Sequence, residues 1–89
     1  MTLSFPNQSR FYDATRDAVR FWGRDSAMEA SFFVDAEALQ RIKPDTRPDE
    51  TGLLGAFDSN RRLIYATAAE VYERGRKGSY DLVAVDFRI

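Results

Sequence analysis

LLGAFDSNRRLIYATAAEVYER, residues 53–74, carries the longest periodic pattern in the chain, and its reading decides the fold. Leu53, Phe57, Ile64, Ala68 and Val71 recur at spacings of three, four and seven, which places them on one stripe of a helix. Leu54 and Tyr72 widen that stripe, while Arg62, Ala69 and Glu73 fall on the opposite, solvated side. The pattern predicts one helix from about Leu53 to Arg74, roughly 30 Å long. Asn60 projects into the middle of the apolar stripe, and a buried amide must find partners or cost about 1–3 kcal/mol. It is therefore either a structural residue hydrogen-bonded to a loop or strand end or, with Arg61, the polar floor of a small pocket.

Upstream, residues suited to a pleated sheet dominate. Phe11 and Tyr12 precede a turn at Ala14-Thr15-Arg16-Asp17, after which Ala18 to Trp22 reads as a strand. Gly23-Arg24-Asp25-Ser26 reads as the next turn, and Ala27 to Val34 as the next strand. Side chains alternate along a strand, so Val19 and Phe21 share the core face with Met28, Ala30 and Phe32 only if paired residue numbers sum to an odd value. A four-residue loop at 23–26 sets Phe21 opposite Met28 and Arg20 opposite Glu29. Trp22 and Phe33 then lie on the face away from the core.

Asp35 is a good N-cap for a short helix through Ile42, with Glu37 favoured by the helix dipole in the first turn. Pro44 ends it, and Asp49 or Thr51 can cap the long helix. Ser79 to Phe87 alternates Val83, Val85 and Phe87 with Leu82 and Ala84; two apolar faces predict a strand covered on both sides or placed inside the sheet. The expected order is β-β-β-α-α-β: an α+β fold, a mostly antiparallel sheet with one long helix packed on one face.

Composition narrows the function. An 89-residue chain makes a single domain, 1–89, and buries roughly two-thirds of its unfolded surface. It has no cysteine and no histidine. That removes disulfides, thiolate nucleophiles, histidine-based triads and the usual zinc sites. Thirteen basic residues against fourteen acidic ones give a net charge of -1, so no global field draws the protein to nucleic acid or an anionic membrane. The longest apolar run, Leu82 to Val85, is too short to span a bilayer or to form a signal peptide core. The expectations are a cytoplasmic protein, no membrane association, no cofactor and no metal.

Leu3-Ser4-Phe5-Pro6, Ala18-Val19-Arg20-Phe21-Trp22-Gly23, Ser31-Phe32-Phe33-Val34 and Gly78-Ser79-Tyr80-Asp81-Leu82-Val83 together resemble a family of small proteobacterial proteins catalogued as a domain of unknown function. The resemblance runs over nearly the whole chain. It implies a bacterial single-domain α+β protein and brings no activity or functional residues with it.

Three groups of residues stand out as sites. Trp22 and Phe33, with Tyr12 beside them, form an aromatic surplus on the outer sheet face. Either the N-terminal segment, Leu3 and Phe5 included, hides it, or another protein or a second copy does; base stacking is a weaker reading. Arg61, Arg74, Arg76 and Lys77 belong to a segment, 61–77, with a local balance of +3. They form a candidate anion or nucleic-acid patch, although the same basic residues, with Gly75 or Gly78, are what a helix C-terminus favours. Among carboxylates, Asp13, Asp17 and Asp25 sit in or near turns, and Asp81 and Asp86 lie on opposite faces of their strand. No catalytic pair emerges. The expected role is a noncatalytic protein-interaction or regulatory module whose aromatic face is covered by an unidentified protein partner or by a second copy in a homodimer; the alternative is weak nucleic-acid or anion binding at 74–77.

Overall fold

The computed structural model describes residues 3–75 and 79–87. In chain order the elements are β1 (Arg10–Asp13), β2 (Ala18–Asp25), β3 (Met28–Asp35), α1 (Ala36–Ile42), α2 (Glu50–Ser59), α3 (Arg61–Arg74), β4 (Ser79–Leu82) and a 3-10 turn (Ala84–Asp86). The sheet runs β1-β2-β3-β4, with β1, β2 and β3 antiparallel and β4 parallel to β3. This is the expected α+β architecture, with one helix more than the sequence predicts.

The core forms where alternation puts it. Val19, Phe21, Phe32, Val34 and Leu82 are fully buried on one sheet face, against Leu39, Leu53, Phe57, Ile64 and Ala68 from the helices. Phe21 is its aromatic centre, with ring centroids 5.3 Å from Phe32 and 5.1 Å from Phe57. Such pairs add about 0.5–1.5 kcal/mol each beyond the area they bury.

The β2–β3 register differs from the expected one by four residues in the sum, which preserves every face but moves every partner. Phe21 stands opposite Phe32 rather than Met28, Arg20 opposite Phe33 rather than Glu29, and Arg24 opposite Glu29. The connection is only Ser26-Ala27, because Ser26 adopts φ 55, the positive value a two-residue hairpin needs at its first position. Met28 consequently sits at the hairpin end, 66% exposed, and outside the core. Gly23 is a strand residue. A Cβ there would lie 3.0 Å from both Leu3 Cδ1 and Phe5 Cε1, so its bare backbone admits the N-terminal segment to the core side.

That segment is held by a backbone pair between Ser4 and Arg24, and Phe5 stacks on Tyr65 at 4.1 Å. Leu3 and Phe5 therefore pack on the helix side and do not fold across the outer face.

The predicted long helix is two helices. Asn60, at φ -129 and ψ 28, ends α2 by donating its backbone N–H to Phe57 O, and its side-chain Nδ2 donates to Ala56 O at 2.9 Å. Its own carbonyl accepts from Ile64 N and starts α3. Leu53, Phe57, Ile64 and Ala68 are fully buried on both sides of the break, which is why the apolar stripe reads as continuous. Asn60 is half-buried, and its amide bonds to a carbonyl of its own helix, Ala56 O, rather than to a loop or strand end.

Asp35 Oδ1 caps α1 through Ala38 N at 2.8 Å, and Asp49 Oδ1 caps α2 through Gly52 N at 2.7 Å. The last strand stops at Leu82 instead of running to Phe87, and it lies at the sheet edge. Beyond it, Asp86 Oδ2 accepts from Val83 N and closes a turn that leaves Val85 84% exposed. None of the described helices is long and apolar enough to cross a membrane.

Candidate functional site

Because the described helices pack on one face of the sheet, the side chains that alternate with the core define the other face. The pairing puts Phe11, Arg20, Phe33 and Asp81 in one row across the four strands, and Trp22, Ser31 and Ser79 in the next. Phe11 is 59% exposed, and Trp22 is half-buried beside Pro6 and Asn7. Phe33 is only 8% exposed, because two guanidinium groups lie over it. Arg16 Cζ is 4.1 Å from its ring centroid, and Arg20 Cζ is 5.5 Å from it and 5.1 Å from that of Trp22. Cation–π contacts of this kind contribute about 0.5–1 kcal/mol when exposed and more when desolvated.

Arg20 is wedged between these rings. Its Nη2 donates to Ser31 Oγ at 3.1 Å, while its Nε is buried with no hydrogen-bond partner among the described residues. Ring stacking offsets part of that loss. Arg16 comes from the β1–β2 loop. Asp13 Oδ1 accepts from Thr15 N and Arg16 N and fixes the loop backbone, and Arg16 Nη1 reaches Asp81 Oδ1 at 3.2 Å.

Arg16, Ala18, Phe33, Asp35, Asp81 and Leu82, together with Val83, line a cleft of about 310 Å³ at one end of this face. Burial pushes the Asp35 carboxyl above its ordinary value, the Ala38 N–H pulls it back, and the charges of Glu37, Asp81 and Asp17 add to the rise. Among the described residues no three carboxylates are arranged to hold a metal ion.

The structure separates several residues that the sequence groups together. Tyr12 stands opposite Val19, on the core side of the sheet, because β1 pairs with β2 through Asp13 and Ala18. It is not beside Trp22 and Phe33; Phe11 is the β1 residue on their face. The Tyr12 hydroxyl instead donates to Asp17 Oδ1 at 2.8 Å, which raises the phenol from its ordinary value. The four-residue turn at 14–17 is readable in the sequence, and it would have placed Phe11 opposite Arg20.

Arg61 and Arg74 occupy opposite ends of α3, about 20 Å apart along a helix rising 1.5 Å per residue. They do not form one patch. Arg61 is occupied by Tyr65 Oη, Gln8 O and Asp58 Oδ1, at 2.7, 3.0 and 2.8 Å. Arg74 pairs with Asp86 Oδ1 at 3.3 Å. Arg76, Lys77 and Gly78 lie outside the described residues. Gly75 ends α3 with extended backbone, φ 170, rather than a left-handed cap. Asp81 and Asp86 both border a second cleft, of about 270 Å³, with Arg74 and Tyr80.

Residues 3–83 match the family described as protein of unknown function (DUF1488), and the chain belongs to that family. A crystal structure of a protein of unknown function from the same family, from Shewanella loihica PV-4, superposes with a TM-score of 0.79 at 17% identity. The match covers 92% of this chain and 94% of that one, and at this identity it shows a shared fold. No curated protein matches the chain.

Proposed function

We propose that the protein works without catalysis, as a docking module whose outer sheet face receives a protein partner. The observation that carries this reading is the aromatic and arginine lattice of Phe11, Arg16, Arg20, Trp22 and Phe33, with Phe11 59% exposed. Arginine and large aromatic side chains are the types that dominate binding energy at protein interfaces. The charges around the lattice favour a protein over a nucleic acid: Arg16, Arg20 and Arg24 share the face with Asp13, Glu29, Asp35 and Asp81, so it has no positive excess to release phosphate counterions. A chain lacking histidine and cysteine also lacks the side chain most used for acid–base catalysis and the thiol nucleophile.

Phe11→Glu tests the reading, because an exposed ring can be replaced without opening the core. Affinity capture with wild type and variant as parallel baits, joined to sedimentation velocity at high micromolar concentration, reads both a foreign partner and a second copy. The expected result is an association weakened at least roughly tenfold in the variant, about 1.4 kcal/mol. Equal capture by the two baits, with both monomeric, refutes it.

A further inference from the structure

The cleft at the end of the outer face already holds a guanidinium, and that group is the protein's own. Arg16 lies over the Phe33 ring at 4.1 Å and reaches Asp81 at 3.2 Å, yet its side chain remains 49% exposed. A planar cation stacked on an aromatic ring beside a carboxylate is the arrangement that suits arginine better than lysine. Arg16 does not satisfy the whole cleft. Asp35 spends Oδ1 on the α1 cap, while Oδ2 carries no hydrogen bond among the described residues. The charges of Glu37, Asp81 and Asp17 add to the rise that burial gives the Asp35 carboxyl. The cleft thus has an aromatic floor, carboxylates on its walls, about 310 Å³ of room and a surplus of negative charge.

We propose that this cleft is a receptor for an arginine side chain presented by a protein partner, the incoming guanidinium lying on Phe33 between Asp35 and Asp81 in place of Arg16. This rests on the reading of the outer face as a docking surface and names the chemistry of what docks there. Arg16 acts as an internal competitor. Asp13 holds the backbone leading into it through Thr15 N and Arg16 N, so the side chain leaves by rotation about its own bonds while the loop entry stays fixed. The Arg16–Asp81 ion pair is half-exposed and weak, and the guanidinium over Phe33 belongs to a side chain still 49% open to solvent, so the competitor is displaceable. Ala18, 2% exposed opposite Asp35, contributes no side chain long enough to obstruct the second guanidinium.

The probe is the blocked tripeptide acetyl-Gly-Arg-Gly-amide, with its citrulline counterpart as the neutral isostere, titrated into the whole protein while NMR follows the Phe33 ring and the Asp35 and Asp81 carboxyls. Removing the competitor raises apparent affinity by the reciprocal of the fraction of sites it leaves open. Arg16→Ala is expected to bind the arginine peptide about five- to tenfold more tightly than wild type, given the usual strength of such contacts. Asp81→Asn and Asp35→Asn, each added to Arg16→Ala, are expected to reverse that gain. Asparagine caps a helix as well as aspartate does, so the second change keeps α1 intact.

The citrulline peptide is expected not to bind. Unchanged or weaker binding by Arg16→Ala, equal binding of the citrulline peptide, or tighter binding of free arginine than of the blocked peptide would each overturn the proposal. The two readings fail separately. If Phe11→Glu loses a partner while Arg16→Ala leaves peptide affinity unchanged, only the arginine receptor falls; if the peptide binds as described while Phe11→Glu alters nothing, only the broader docking face does.

Discussion

Gly52 and Gly55 lie three residues apart in α2, and the same substitution at each should move stability in opposite directions. A Cβ on Gly52 would stand 2.3 Å from the Arg47 carbonyl oxygen and 2.8 Å from Arg47 Cβ. Real Cβ atoms essentially never approach a heavy atom within 3.0 Å, so the chain at Arg47 must retreat by about 0.7 Å or more. Two residues later that chain supplies Asp49, whose Oδ1 caps the helix at Gly52 N itself. Overpacking costs about 1–3 kcal/mol and a lost cap about 0.5–2. Alanine returns at most about 1 kcal/mol in helix preference.

The net for Gly52→Ala is therefore a loss of about 2 kcal/mol, or roughly 10 °C in Tm for a domain of this size. At Gly55 nothing lies within 4 Å of the added carbon, so only the preference term remains. Gly55→Ala should gain about 0.5–1 kcal/mol. Urea unfolding of both variants measures the difference. An NMR titration adds an independent readout, because the Gly52 N–H is the largest cause holding the Asp49 carboxyl below its ordinary value, and losing it should let that value rise. If Gly52→Ala proves as stable as wild type with the Asp49 titration unmoved, the steric reasoning is wrong.

Three further outcomes follow from the packing and charges. Asp58 accepts from Arg10 Nε and Nη2 at 3.0 and 2.8 Å, and with Arg61 this holds its carboxyl below the usual range. Its contribution should be complete above the unfolded value and vanish as pH falls through the lower folded one; an Arg10→Ala, Asp58→Ala double-mutant cycle at neutral pH should give about 0.5–1 kcal/mol of coupling, less in high salt, and none would count against the pair. Asp35 titrates in the opposite sense, since its folded value is raised, so Asp35→Asn should be at least as stable as wild type at neutral pH, with any advantage fading in acid; chemical denaturation across pH checks this. Phe21→Ala empties the centre of the aromatic core and should cost about 3–5 kcal/mol, enough to unfold much of a marginally stable domain, as calorimetry or circular dichroism would register.

Alternation was the most legible part of the sequence. It assigned Phe21, Ala30 and Phe32 to the core and Trp22 and Phe33 to the other face even though the expected register was displaced, because a shift of four residues leaves parity intact. The displacement came from Gly23, whose composition suggests a turn but whose missing side chain serves Leu3 and Phe5, and from Ser26, which takes a positive φ more usual for glycine or asparagine. The helix break leaves no mark on the apolar pattern for a related reason. Asn60 interrupts the backbone ladder without changing the phase of the apolar residues, and periodicity reports phase alone. At the C-terminal end, the alternation of Val83 and Val85 looked like strand, while the Asp86 carboxylate competes for the backbone and turns the chain. The candidate site was half legible: its rings followed from parity, but the arginines over them depend on rotamers and on a loop position that no local pattern encodes.

The parallel placement of β4 bears on how the molecule comes off the ribosome. The meander of β1, β2 and β3 and all three helices emerge before Ser79, so for that interval residues 31–34 of β3 lack the ladder partner they have in the finished sheet. A nascent chain stalled short of Leu82 therefore offers a raw hydrogen-bonding margin to any neighbouring chain, and slowing synthesis in this stretch should promote aggregation more than an equal pause within β1 or β2.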